Sequence, residues 1–164
     1  MHKNFFRYVS ALCMKIMPIF LTAVFFIVPF RAMADIAVIV NPANKAADLS
    51  REQVVDLFMG RSAAFPDGSF VLPFDLPVEN KIRHQFYNAL VGKTIPQINA
   101  YWARLIFSGR ATPPRVVKNT DELLNAMQNN KNGIAYIDTD SLKNHDDDVK
   151  VLLTIKTETE DRFK

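Results

Sequence analysis

The apolar run Ile36–Val40 constrains the fold more than any other part of this sequence. An unbroken series of mostly β-branched residues is typical of a strand that is buried on both faces, as in a parallel or mixed sheet covered by helices. Asn41-Pro42 follows the run and ends it, because proline has no N–H for a strand ladder. The sequence therefore predicts a sheet flanked by helices.

The N-terminal segment has the pattern of a secretory signal peptide. Basic residues precede the apolar run Ile16–Phe30, and Ala32-Met33-Ala34 supplies a small-x-small cleavage site. The alternative is a membrane anchor, but the run contains two prolines and is shorter than the ~20 residues that a spanning helix needs. We expect cleavage after Ala34, so that the leader is the only part of the chain that meets a membrane.

Loss of the leader changes the charge of the chain. The leader contains four of the 20 basic residues and none of the 17 acidic ones, so the remainder has 16 basic residues against 17 acidic ones. This balance gives no support for a nucleic-acid surface. The only cysteine, Cys13, lies in the leader, so we expect no disulfide in the mature chain.

Helix and strand signals alternate along the rest of the chain. Ser50 and Gln53 form a capping box at the start of a helix that stops at Gly60. The other predicted elements are a strand at Phe70–Phe74, helices from near Glu79 to Gly92, from Pro96 to Gly109 and from Thr120, as the N-cap, to Asn129, and strands at Arg115–Val117, Ile134–Asp138 and Val149–Ile155. We predict an α/β class with three segments: a signal peptide at 1–34, one domain at 35–155 and a polar tail at 156–164.

The stretch Asp75–Phe86 is the most informative junction, since a strand ends there and a helix opens. The first turn of a helix has unpaired N–H groups and the positive end of the macrodipole, so it attracts anions. The alternative interpretation is a well-started helix with no ligand, in which Glu79 pairs with Arg83 at i,i+4. The sequence leaves both interpretations open.

Motifs for catalysis and metal binding are absent from the sequence. It has no nucleophile elbow, no P-loop and no H-E-x-x-H. His84 could act as a base with Asp75, although a surface histidine is the commoner outcome. The acidic run 145–148 does not fit a calcium loop that starts at Asp138, because Leu142 and Val149 occupy ligand positions. We therefore expect a non-enzyme with neither metal nor cofactor.

Several segments, taken in order, resemble the phosphate-type substrate-binding proteins of ABC transporters. They are Asn41-Pro-Ala-Asn44, Leu49-Ser-Arg-Glu-Gln-Val-Val-Asp-Leu-Phe-Met-Gly60, Asp67-Gly68 with the strand after it, and Gly133-Ile-Ala-Tyr-Ile137. The resemblance spans Ile36 to about Ile155. It implies a single lobe of the type II periplasmic binding-protein fold, located in the periplasm, with phosphate or a similar small anion as ligand and a transporter permease or another periplasmic protein as candidate partner.

The resemblance also suggests where a ligand would lie. Members that bind phosphate are expected to carry an arginine and a Ser-Gly-Thr turn at the strand–helix junction, where this chain has Asp75 and then Asn80-Lys81-Ile82. We predict Asp75, Asn80, Lys81, Ile82 and Arg110 as ligand-binding residues, with weak binding or none. The alternative function is a periplasmic protein-interaction module that has kept the lobe fold and lost the ligand site. An exposed aromatic patch around Phe65, Tyr101 and Trp102 would favour that alternative.

Overall fold

A computed structural model describes residues 34–145 and 147–157 of the chain. The predicted signal peptide up to Met33 and the tail beyond Thr157 lie outside the described residues, so those two predictions stay predictions. Among the residues described, no helix is long and apolar enough to cross a membrane.

The described elements alternate between strands and helices. The strands are β1 (Ile36–Val40), β2 (Leu72–Asp75), β3 (Arg115–Val116), β4 (Gly133–Asp138) and β5 (Lys150–Ile155), and the helices are α1 (Arg51–Phe58), α2 (Lys81–Val91), α3 (Ile95–Phe107), α4 (Thr120–Asn129) and α5 (Thr139–Leu142).

The five strands form one mixed sheet in the order β3-β2-β4-β1-β5. β1 runs antiparallel to both β4 and β5, whereas β2 runs parallel to β3 and β4. All five residues of β1 are buried, as the apolar run predicts. The expected α/β class, with a mixed sheet flanked by helices, is confirmed.

Local capping signals define the helix ends well. The Ser50–Gln53 capping box starts α1, and Thr94 starts α3 with Pro96 in its first turn. Gly60 and Gly92 follow α1 and α2 with φ values of 65° and 64°, a left-handed conformation that glycine adopts without strain.

Two predicted boundaries were wrong for local reasons. Asn119 caps α4 in place of the predicted Thr120, because its side chain accepts the Glu122 N–H. β2 begins at Leu72 and not at Phe70, whose side chain is 60% exposed. Phe70 instead forms an isolated bridge with Ala64.

The core forms where the helices cover the sheet, and it contains most of the large apolar side chains. Phe86 stacks on Tyr136 at a centroid distance of 3.8 Å, and Phe58 meets Phe86 edge-on at 4.8 Å. Trp102 and Phe65 are also buried, so the exposed aromatic patch that would favour an interaction module is not formed around them. Removing aromatic surface from water stabilises the fold, which explains why these two side chains are buried.

Candidate functional site

The junction between β2 and α2 is a short turn that presents the start of a helix. Asn80 caps α2, because its Oδ1 accepts the Ile82 N–H at 2.8 Å. The Asn80 N–H in turn donates to the Pro77 carbonyl at 3.0 Å. The helix therefore begins at Lys81, two residues later than Glu79, because asparagine is a better N-cap than any residue before it in the turn.

A buried polar cluster lies directly beside this turn. The Asp75 carboxylate accepts hydrogen bonds from the Tyr87 hydroxyl at 3.1 Å, from the Leu76 N–H at 2.8 Å and from the Tyr136 hydroxyl, and it pairs with Arg83 at 3.1 Å. Asp75 is 2% exposed and Arg83 5%. Four donors thus converge on one carboxylate group, and we call these five residues the Asp75 cluster.

Burial controls the electrostatics of the Asp75 cluster. Loss of water raises the pKa of Asp75, and the Arg83 guanidinium is the largest effect that opposes this rise. Burial and the neighbouring carboxylate also raise the pKa values of Tyr87 and Tyr136 well above the ordinary value. Both phenols therefore stay neutral and act as donors, which suits a carboxylate that needs hydrogen bonds in place of water.

Arg83 lies in a different environment from the exposed helix surface on which the sequence interpretation placed it. The alternative interpretation paired Arg83 with Glu79, and that pair is not formed, because Arg83 lies on the buried face of α2 with Phe86, Tyr87 and Leu90. The spacing i, i+3, i+4, i+7 already places Arg83 in phase with those residues. Its guanidinium also lies over the Tyr87 ring at 5.7 Å, and its Nε is buried without a hydrogen-bond partner.

Comparisons with known proteins identify the fold. No protein-family model matches the sequence, and no curated protein is similar to it. Solved structures do match. An ABC-type phosphate transport receptor from Vibrio cholerae is 20% identical in sequence with a TM-score of 0.57, and a putative phosphate ABC transporter substrate-binding protein with bound phosphate from Clostridium perfringens is 18% identical with a TM-score of 0.57. PstS from Borrelia burgdorferi is 15% identical with a TM-score of 0.58.

The chain has the fold of phosphate-transport substrate-binding proteins. Each alignment covers 74% of this chain, but only 46%, 45% and 47% of the three solved chains in that order. The chain thus spans about half the length of these proteins. The resemblance that the sequence motifs indicated is confirmed at the level of the fold.

The five predicted ligand-binding residues occupy different environments in this phosphate-receptor-like fold. Asp75 is internal and fully bonded within its cluster, Asn80 and Ile82 are partly buried, and Lys81 is exposed. Arg110 is exposed beyond the end of α3, and no hydrogen bond or ion pair within the described residues joins it to the turn. Their role toward a ligand stays a prediction.

The other chemistry that the sequence suggested is not assembled in the described part of the chain. His84 is exposed, and its Nε2 lies 2.9 Å from the Val78 carbonyl, whereas Asp75 is bonded elsewhere. His145 lies 3.1 Å from Asp148 at the surface. The described residues hold no group of three or more side chains that could bind a metal ion.

Proposed function

We propose that this chain is an exported periplasmic domain with a binding-protein-like lobe, and that it binds a small oxyanion such as phosphate weakly at the opening of α2. The charge of the first helical turn carries this proposal. α2 opens with the exposed Lys81 and has no acidic residue in its first turn, whereas α4 opens with Asp121 and Glu122. Acidic residues in the first turn of a helix repel an anion from its positive end. The start of α2 is therefore more favourable for an anion than the start of α4.

The position of the turn in the sheet also supports an anion site. β2 lies between β3 and β4 and runs parallel to both, and the chain passes from β2 to β3 and then across to β4. In open α/β sheets, ligands bind outside the carboxyl ends of strands at such a reversal of strand order. Asn80, Lys81 and Ile82 are the proposed contacts there, with Asp75 beneath them and Arg110 as a second cation.

Binding is expected to be weak for two reasons. The Ile82 N–H already donates to the Asn80 Oδ1, and Arg83 is paired with Asp75. Lys81 is exposed, so its attraction to an anion acts through water, where electrostatic energies are small. The Clostridium perfringens protein was solved with bound phosphate, which makes phosphate the first ligand to test. The resemblance to ABC-transporter substrate-binding proteins makes a transporter permease a candidate partner.

The test is isothermal titration of protein recovered from the periplasm with phosphate and then sulfate at low ionic strength. In the variant Asn80→Asp with Lys81→Glu, the aspartate still caps the helix but the site becomes negative. Lys93→Glu with Asn99→Asp is a control with the same change of charge at exposed positions. Saturable heat that the first variant loses and the control keeps supports the proposal, whereas a folded protein that gives no heat with either anion refutes it.

A second candidate function is a protein-interaction module, which the end of α3 favours. Phe107 is 96% exposed and Ile106 is 55% exposed. Adjacent exposed apolar side chains mark interaction sites more often than isolated ones do. A photo-crosslinking amino acid at position 107 should capture a protein in the periplasm, whereas the same group at the exposed Val116 should not. Equal capture at both positions contradicts this function.

A further inference from the structure

The last turn of α3 forms an apolar projection. Phe107 is almost completely exposed, and Ile106 beside it is more than half exposed. A phenylalanine buries about 150–250 Å² when it is covered, so leaving it in water forgoes a large favourable term. The helix ends in a left-handed cap, in which Gly109 adopts φ 64° and the Arg110 N–H donates to the Leu105 carbonyl at 3.0 Å.

Positive charge surrounds this projection. Arg104 precedes Phe107 by three residues, so both lie on one face of the helix. Arg110 follows just beyond the helix end. Both arginines are exposed, and neither side chain has a hydrogen bond or ion pair within the described residues. The sequence contains no Asp or Glu between Glu79 and Asp121, so no nearby residue along the chain neutralises them.

A cavity of complementary character lies at the end of α1. It is open to solvent and has a volume of about 230 Å³. Its lining combines the apolar residues Leu57, Ala64, Phe65 and Pro66 with the polar residues Gln53, Asp56 and Ser62. Its volume exceeds the ~150 Å³ of a closed apolar cavity that binds benzene, so a phenylalanine ring fits it by size. Within the described residues, the Asp56 carboxylate pairs only with the exposed Arg61 at 3.5 Å, a surface contact of little energetic value.

The projection and the cavity lie on neighbouring elements of one molecule. The Tyr101 hydroxyl donates to the Met59 carbonyl at 2.7 Å, and Gly60 lies against Trp102 and Ala111. Phe107 does not fill its own molecule's cavity, since it is exposed. A head-to-head pairing of two α3 ends would bring like charges together, which is less favourable than placing an arginine against Asp56.

We propose that two copies of this chain associate through these surfaces, with Phe107 of each copy in the Leu57–Phe65 cavity of the other and Arg104 facing Asp56. Such an exchange is reciprocal, as a two-fold dimer requires. An aromatic anchor beside arginine is also the composition typical of interface hot spots. The inference rests on the second candidate function, for which it names the partner as a second copy of the chain.

The test is sedimentation velocity of protein recovered from the periplasm, over a wide range of concentrations at low ionic strength. We expect a monomer–dimer equilibrium. Phe107→Ser should weaken each contact roughly thirtyfold, as truncation of a hot spot does, and the dimer contains that contact twice. Val116→Ser removes an exposed apolar side chain from β3 and should leave the equilibrium unchanged.

A charge exchange tests the orientation. Arg104→Glu and Asp56→Lys should each weaken the dimer, and the two changes combined should restore it, because the opposite charges face each other again. A monomer at all concentrations, an open series of larger oligomers, or a dimer that is insensitive to Phe107→Ser overturns the inference. Capture of a different protein at position 107 by a monomeric chain would overturn self-association and leave the second candidate function standing, and the phosphate titration is independent of both.

Discussion

Replacing Arg83 with methionine should strongly destabilise the domain, because it leaves the Asp75 carboxylate buried without its positive partner. Asp75 and Arg83 are 2% and 5% exposed, and the pair is joined at 3.1 Å. Removing one partner of a buried pair costs about 3–5 kcal/mol. The whole stability of a domain of this size is about 5–15 kcal/mol, so the loss is a substantial part of it.

The loss should depend on pH. Burial raises the folded-state pKa of Asp75 above 3.8, and Arg83 is the largest effect that holds it down. A carboxyl group whose pKa is raised by folding binds more protons in the folded state, so its contribution to stability is present below the unfolded pKa and is lost as pH rises through the folded pKa. Without Arg83 the folded pKa rises further. The destabilisation should therefore grow from acid toward neutral and alkaline pH.

The measurement is urea unfolding of Arg83→Met and the wild type at about pH 5 and about pH 8, with the midpoint and slope followed separately. Arg115→Met is the matched control, because Arg115 is exposed and the same substitution there should change stability by less than about 0.5 kcal/mol. In Asp75→Asn with Arg83→Met, no buried charge remains and the pH dependence should disappear. A loss below about 1 kcal/mol, or an equal loss at both pH values, would refute the reasoning.

Three further changes test other parts of the fold by the same unfolding assay. Tyr136→Phe removes a donor to Asp75 and should cost about 1–3 kcal/mol, more above the Asp75 pKa than below it; an effect independent of pH would contradict the proposed arrangement. Gly92→Ala should cost about 1–2 kcal/mol, because its φ is 64° and the space around it is open. Gly60→Ala should cost about 1–3 kcal/mol more than that, because the new Cβ would lie 2.7 Å from Trp102; equal losses at the two glycines would show that Trp102 moves freely.

Much of the fold could be predicted because its signals are local. The capping box at Ser50, the glycine after α2 and the apolar run of β1 each act within a few residues of themselves. The order of strands and helices follows from such signals. Errors arose where two neighbouring residues could serve the same purpose, as Asn119 and Thr120 could at the start of α4.

The sequence by itself determined where strands and helices form, and its motifs indicated which fold they build. Only the tertiary structure decided the partners of Asp75, because Tyr136 lies 61 residues away and reaches it only when β4 packs beside β2. The same holds for Arg83, which would pair with Glu79 on an isolated helix but is turned inward by packing. Local propensities act along the chain, whereas the burial of a charge and the exposure of Phe107 depend on surfaces that exist only once the sheet and helices have assembled.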